Sequence, residues 1–472
     1  MLAPHMTSAD RPTPSSSAPP PPALLVAVKL PGVTDLELEA SLDELERLVK
    51  TLGYQVVGRV TQARATLAPS AVLGEGKLAD LAALTGGSGD ATLVVPRKVD
   101  KARARREGIA GGVPSPEEEA DGDGEEAAAI DGSRPIALVA VDHEISPSQL
   151  RNLERAAGTE VLDRTGVIIE IFHRHAHSRE ARMQVEIARL RYESPRVRES
   201  PRGKERQQGR GSGEAGLELD RRKIRDRIAE LKEELESVLR ENNVRRAQRR
   251  EARRVALVGY TNAGKSSLMR ALTGSDVYVE NKLFATLDTT VRALAPEVTP
   301  RILVSDTVGF IKKLPHDLVA SFKSTLDEAA EASLLLHVVD ASDSGWQAQL
   351  AVTREVLAEI GAQTVPSRLV MNKVDRLEPA ALEALRAELP DAWFLSAKSP
   401  SDVAELRQRI IEFFEAAYVE AELLVPYTEQ RLLAEMHAEA QVLGTRYEEE
   451  GIFVRVRGAQ ETVAAFSARL AQ

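Results

Sequence analysis

Cysteine is absent from the 472 residues, which excludes disulfides, thiolate metal sites and cysteine nucleophiles. No run of about 18 apolar residues occurs, so no helix is expected to span a membrane. The N-terminus lacks a basic segment followed by an apolar one. A Pro/Ser tract ending in PSSSAPPPP stands there instead and predicts a disordered tail over residues 1–22. With no export signal the expected location is the cytoplasm. An excess of positive charge is also missing. Lys and Arg number 62 against 72 Asp and Glu, and the net charge of −10 weighs against binding nucleic acid over the whole surface.

Hydrophobic residues at 43% and charged residues at 28% fit a globular chain, and its length predicts roughly three domains. In the first, over 23–171, apolar strands at 23–29, 54–60, 91–95 and 136–141 alternate with helical patterns. The helices are expected at 36–52, 77–84 and 147–157, the last with Ser146 as N-cap. This is the pattern of a small parallel α/β subdomain. Residues 98–133 break it, first basic and then acidic and glycine-rich, and are expected to be a mobile insertion.

Residues 172–250 change character. Two long charged helices are expected at 178–193 and 216–250, with Leu217, Ile224, Ile228, Leu231, Leu235 and Leu239 near heptad spacing, so a helical hairpin or antiparallel coiled coil follows. Residues 172–254 hold 24 Lys/Arg against 15 Asp/Glu. That local basicity suits either a solvated helix surface or attraction to RNA phosphates. His173, His175 and His177 lack nearby acidic partners in sequence and read as exposed or stacking histidines rather than a metal site. Gly74 to Lys77 only superficially resembles a phosphate loop and reads as a turn opening a helix.

The chemistry lies at 251–417. The strand Val255–Val258 runs into Gly259-Tyr260-Thr261-Asn262-Ala263-Gly264-Lys265-Ser266 and then an apolar helix from Ser267. This is the strand–loop–helix setting in which backbone N–H groups cradle phosphates. Lys265 is expected to reach the β- and γ-phosphates, and the Ser266 hydroxyl to ligate Mg²⁺. A second strand, 301–304, leads to Asp306-Thr307-Val308-Gly309. There the acid can hold Mg²⁺ through water and the Gly309 N–H can meet a γ-phosphate. Between the two lies Leu283-Phe284-Ala285-Thr286-Leu287-Asp288-Thr289-Thr290, in which Thr286 is the favoured second metal ligand, ahead of Thr289 and Thr290.

A third strand, 367–371, ends in Asn372-Lys373-Val374-Asp375. The Asp375 carboxylate can accept from guanine N1 and N2, a donor pair that adenine lacks. Ser396-Ala397-Lys398 can offer a backbone N–H to guanine O6. Phe310 stands where signalling GTPases commonly carry a water-orienting glutamine, which predicts slow turnover without a partner. Asn262 either braces the loop or helps hold a monovalent cation such as K⁺. Residues 418–472, with a helix expected at 429–443 and a strand at 452–456, should form a small appended lobe.

Together these motifs resemble the TrmE–Era–Obg branch of GTPases, and specifically the HflX family. The carrying segments are GYTNAGKSSL from Gly259, LFATLDTT from Leu283, DTVGFIKKLPHDLVASFKSTLDEA from Asp306 and NKVD from Asn372. SPSQLRNLE from Ser146, DRTGVIIEIF from Asp163 and LELDRRKIRDRI from Leu217 match it as well. The resemblance implies an α/β fold in which a doubly wound P-loop GTPase sheet follows the parallel subdomain and hairpin and precedes a small α+β lobe. It also implies GTP hydrolysis with Mg²⁺ and a monomer whose partner is the ribosome, chiefly the large subunit and its rRNA. Stalled or idle ribosomes would be split, the N-terminal regions approaching the peptidyl transferase centre, with peripheral membrane association a secondary location. One departure stands out: the glycine-rich loop before the second hairpin helix is shortened to Gln208–Glu214 and has no proline.

Overall fold

The computed structural model describes residues 19–89, 134–197, 212–247, 253–274, 283–284, 290–312 and 323–470. The strand expected at 91–95, the insertion at 98–133 and most of the glycine-rich loop lie outside them. The chain divides into two compact units, Met1–Ile171 and Phe172–Gln472.

In the first unit β1 (Pro22–Lys29), β2 (Gln55–Ala63), β3 (Leu138–Val141) and β4 (Glu160–Asp163) form a parallel sheet in the order β2-β1-β3-β4. The central strands are near-continuous Val, Leu and Ala because helices cover both faces of such a sheet. Helix α1 (Asp35–Thr51) starts at a capping box between Thr34 and Glu37. Helix α2 (Glu75–Thr85) starts after Gly74, and α3 (Pro147–Ala157) starts at a second capping box between Ser146 and Gln149. The turn at Gly74–Lys77 is therefore a helix start. Helix α4 (Arg164–His175) follows an N-cap aspartate, a local start signal that the sequence reading passed over. Its first turn is fixed by Asp163, which accepts the Gly166 N–H at 2.7 Å, and by buried Arg164, which pairs with Asp142 and Glu44. Because α4 ends at His175, His177 does not share its helical face with His173.

The second unit holds a hairpin of α5 (Arg179–Glu193) and α6 (Ser212–Ala247), in which Met183 and Ile187 pack on Leu231. A six-stranded sheet follows. Its strands are β5 (Arg253–Val258), β6 (Thr290–Ala293), β7 (Ile302–Asp306), β8 (Leu334–Asp340), β9 (Ser367–Asn372) and β10 (Trp393–Phe394), in the order β10-β9-β8-β5-β7-β6. All neighbours are parallel except β6 with β7.

Alternation along β5 builds both cores of this sheet. Val255 and Leu257 face α7 (Lys265–Thr273) and α11 (Pro400–Glu415). Ala256 and Val258 face α8 (Lys323–Ala330) and α9 (Trp346–Glu359). Helix α10 (Pro379–Glu388) flanks β9 and β10. The chain order turns outward on either side of β5, so its C-terminal end opens on the crevice where α/β proteins bind ligands.

The C-terminal lobe is an antiparallel sheet of β11 (Tyr418–Val425), β12 (Gln441–Glu448) and β13 (Gly451–Ala459), in the order β11-β13-β12. Helices α12 (Gln430–Glu439) and α13 (Gln460–Leu470) pack on one face through Leu432, Met436, Val463 and Phe466. The helix expected to run to 443 stops at Glu439, because residues from Gln441 onward pair with β13.

Candidate nucleotide site

The phosphate loop leaves β5 at Gly259 and reaches α7 through Gly264, whose φ of 97° is left-handed. A Cβ there would lie 2.2 Å from the Asn372 amide nitrogen, so only glycine fits. Lys265 is buried and its Nζ donates to the carbonyls of Gly259 (3.0 Å) and Tyr260 (2.9 Å). Burial lowers its pKa to about 8; the Asp306 carboxylate opposes that shift and Lys373 adds to it. The Ser266 hydroxyl donates to Asp306 Oδ2 at 2.6 Å, and Asp306 is fully buried at the end of β7.

The segment after Asp306 is laid along the loop. Thr307 donates its hydroxyl to Leu257 O at 2.8 Å, and Val308 is buried. At Gly309 a Cβ would lie 2.7 Å from Thr261 Cα and 3.0 Å from Lys265 Nζ, so the glycine permits a close approach of two backbones. Phe310 N–H then donates to Gly259 O at 3.2 Å. Thr261 N–H donates to Phe310 O at 2.7 Å, and Lys312 N–H to the Tyr260 hydroxyl at 2.6 Å. The Thr261 N–H is thus committed to the protein, and the cradle is left to the amides that follow it. The Phe310 ring is buried with Ala256, Val258, Leu326 and Leu335.

Phe284, left-handed at φ 58°, donates its N–H to Thr261 Oγ1 at 3.0 Å and meets Phe172 edge-on at 4.6 Å. Ala285, Thr286, Leu287 and Asp288 lie outside the described residues. The side chain of Asn372, at the end of β9, ties two loops together. Its Nδ2 donates to Ala263 O (2.9 Å), and its Oδ1 accepts the Ala397 N–H (3.0 Å). Lys373, left-handed at φ 64°, donates to Asn262 O (2.6 Å) and Asp340 Oδ2 (2.7 Å). Asp375 accepts from the Ser396 hydroxyl at 2.7 Å and from Lys398 Nζ at 3.2 Å. The Ser396 bond leads the causes that hold its carboxyl below the ordinary range. With Ala397 bound to Asn372, the Lys398 N–H, at 3.3 Å from Ser396 Oγ, is the less committed amide of this loop.

The structure therefore gathers the phosphate loop, Asp306–Gly309, Asn372–Asp375 and Ser396–Lys398 at one sheet end. Sequence reading missed four partners: Asp340, Phe172, Lys312 and Asp402, whose Oδ2 accepts the Ser396 N–H at 2.8 Å. Only Asp402 left a local sign, standing three residues after the N-cap serine Ser399.

A phosphate loop after the central strand, a buried acid closing the next and an Asn-Lys-x-Asp turn closing a third define a P-loop GTPase. Residues 254–373 match a family profile described as 50S ribosome-binding GTPase. Residues 39–106 and 120–173 match GTP-binding GTPase N-terminal, and 175–249 match GTP-binding GTPase Middle Region. The GTPase HflX of Gluconacetobacter diazotrophicus is 60% identical over 453 residues, 96% of this chain and 98% of that one. The GTPase HflX of Escherichia coli is 35% identical, over 91% of each. A GTP-binding protein from Sulfolobus solfataricus, solved with GDP, aligns over 83% of this chain and 98% of its own at 23% identity, with a TM-score of 0.40. The chain belongs to the HflX family of GTPases, and hydrolysis of GTP is its reaction.

Proposed function

We propose that this GTPase binds the large ribosomal subunit in its GTP state, separates stalled or idle ribosomes in the cytoplasm, and is released by hydrolysis. The match of residues 254–373 to a 50S ribosome-binding GTPase carries the reading. The local excess of Lys and Arg over 172–254 supports it, because cationic side chains attract rRNA phosphates.

In the reaction water attacks the γ-phosphorus in line and GDP leaves. Lys265 turns its ammonium from the carbonyls of Gly259 and Tyr260 to the β- and γ-phosphate oxygens. The Gly309 N–H meets the γ-phosphate, which requires the bridge between Phe310 and the loop to loosen. Loss of that contact on hydrolysis lets the segment re-zip onto the loop, which gives the switch two states. Phe310 supplies no polar group for the water, so intrinsic turnover is slow and a partner orders the site.

Two hard oxygen donors, Ser266 Oγ and the Asp306 carboxylate, meet beside the loop and suit Mg²⁺. Ser266 and Thr286 would hold the ion directly, with Asp306 behind a water. When bound it neutralises charge on the phosphate oxygens. K⁺ beside Asn262 would add to that. A faster rate in KCl than in NaCl would support it, and equal rates would leave Asn262 with a bracing role.

Gradient sedimentation with 70S and 50S particles tests the proposal. A non-hydrolysable GTP analogue should carry the protein into the 50S peak and shrink the 70S peak, and GDP should not. Equal sedimentation in GDP and analogue, with a GTPase rate unmoved by pure 50S subunits, would favour an RNA-binding scaffold and sink the splitting role.

A further inference from the structure

We infer that Asp402 is a positioning residue for guanine selectivity, holding Ser396, which in turn holds the base-reading carboxylate of Asp375. This rests on Asp375 being the base reader.

Ser396 is buried between two carboxylates and uses a different donor on each. Its backbone N–H goes to Asp402 Oδ2 at 2.8 Å, and its hydroxyl goes to Asp375 Oδ1 at 2.7 Å. The hydroxyl has only one proton, so its direction is set by Asp375 on one side and by the placement of its own backbone on the other.

Asp402 is well built for that placement. It lies in the first turn of α11, where negative charge is favoured, and its Oδ1 accepts the hydroxyls of Ser399 (2.7 Å) and Ser401 (3.3 Å). Burial alone would raise its pKa, but the Ser399 and Ser396 hydrogen bonds outweigh this and keep it low, so the carboxylate is ionised and accepts only. The helix beneath is anchored in the core through Leu406, Ile410 and Phe414. A rigid element thus fixes Asp402, and a charge-assisted bond passes that rigidity to Ser396.

Asp375 needs this help because its carboxyl torsion is soft and water-exposed, while guanine requires both oxygens in one plane facing N1–H and N2–H. With Ser396 loosened, Asp375 still attracts the base but matches two donors poorly. The loss should fall on the 2-amino group, the group that separates guanine from hypoxanthine.

Calorimetric Kd values for GDP and IDP on the full chain, with melting temperatures, give the test. Asp402→Ala should weaken GDP about tenfold, the worth of one hydrogen bond to a charged group, and cut the GDP-over-IDP preference about threefold. Asp402→Asn keeps an acceptor without the charge and should restore part of the preference, leaving it about twofold below the parent. A purely structural role would weaken both nucleotides equally and leave the ratio alone. An unchanged ratio in folded Asp402→Ala overturns the inference; if that variant melts below assay temperature, an unchanged ratio in Asp402→Asn does so. Asp375→Asn separates the two levels. If it keeps the parent preference, the base-reader assignment fails and this inference with it. If it loses the preference while Asp402→Ala keeps it, only the positioning role fails.

Discussion

Lys265 shows how one side chain couples nucleotide binding to pH. Its pKa of about 8 lies below the ordinary lysine value of 10.5, so between those values the unfolded chain binds more protons and the nucleotide-free fold gains stability as pH rises. Phosphate reverses the balance, because a bound anion favours the ammonium. Below about pH 8 the amine is already charged and GDP binds without proton uptake; above it each binding event must take up a proton. GDP affinity should therefore fall above about pH 8 at a slope approaching tenfold per unit. Calorimetry in buffers of different ionisation heat checks this, and a flat profile to about pH 9 would refute it. Phe310 teaches a different lesson. Although it stands where a water-orienting glutamine is common, its ring is part of the core under β5 and β8. Phe310→Gln should not raise turnover, and should cost about 3 kcal/mol in chemical denaturation by burying an amide and losing ring contacts.

At the scale of single elements, β8 carries a cost that appears only in acid. His337 is buried between β5 and β9, and burial first, with Arg354 second, lowers its pKa from 6.5 to about 4. Above about pH 6.5 the ring is neutral in both states. As pH falls towards 4 the unfolded chain takes up a proton that the fold refuses, and stability drops by roughly 3 kcal/mol. His337→Leu should flatten that loss between about pH 6.5 and 4, as read from urea midpoints. The hairpin depends on fewer contacts. Among the described residues of α6, Leu231 is the most buried, against Met183 and Ile187 of α5. Leu231→Asp should open the pair at a cost on the order of 3 kcal/mol, seen as proteolysis within 179–247 while the nucleotide site still binds GDP.

For the whole molecule the charge distribution matters more than its sum. A net charge of −10 opposes general affinity for RNA, yet residues 172–254 are basic. If the proposed association with 50S subunits runs through that stretch, it should weaken steeply with salt, because each neutralised phosphate releases a counterion. Binding measured between about 50 and 200 mM KCl should lose at least tenfold; salt-independent binding would place the contact elsewhere.

Much of the site was legible because phosphate and guanine chemistry needs particular residues next to each other in the chain. Gly259–Ser266, Asp306–Gly309 and Asn372–Asp375 each work as short runs at strand ends, so their meaning survives without a fold. The capping boxes at Thr34 and Ser146 were equally local. In the C-terminal lobe β12 is largely exposed, with no alternating pattern to mark it, and only pairing with β13 makes it a strand, whereas β11 does alternate, turning Ala421, Leu423 and Val425 to the core. Helix α4 begins where Asp163 and Arg164 find partners, one of them 120 residues away. Tertiary packing likewise decided that Asp340 reaches Lys373 and that the Tyr260 hydroxyl receives Lys312, whereas Asp402 reaches Ser396 from only six residues away. The sequence by itself determined which chemistry is present, because motif residues act on the ligand through contiguous backbone. Tertiary structure alone decided what holds those motifs in place, because the holding groups come from segments whose separation no local pattern encodes.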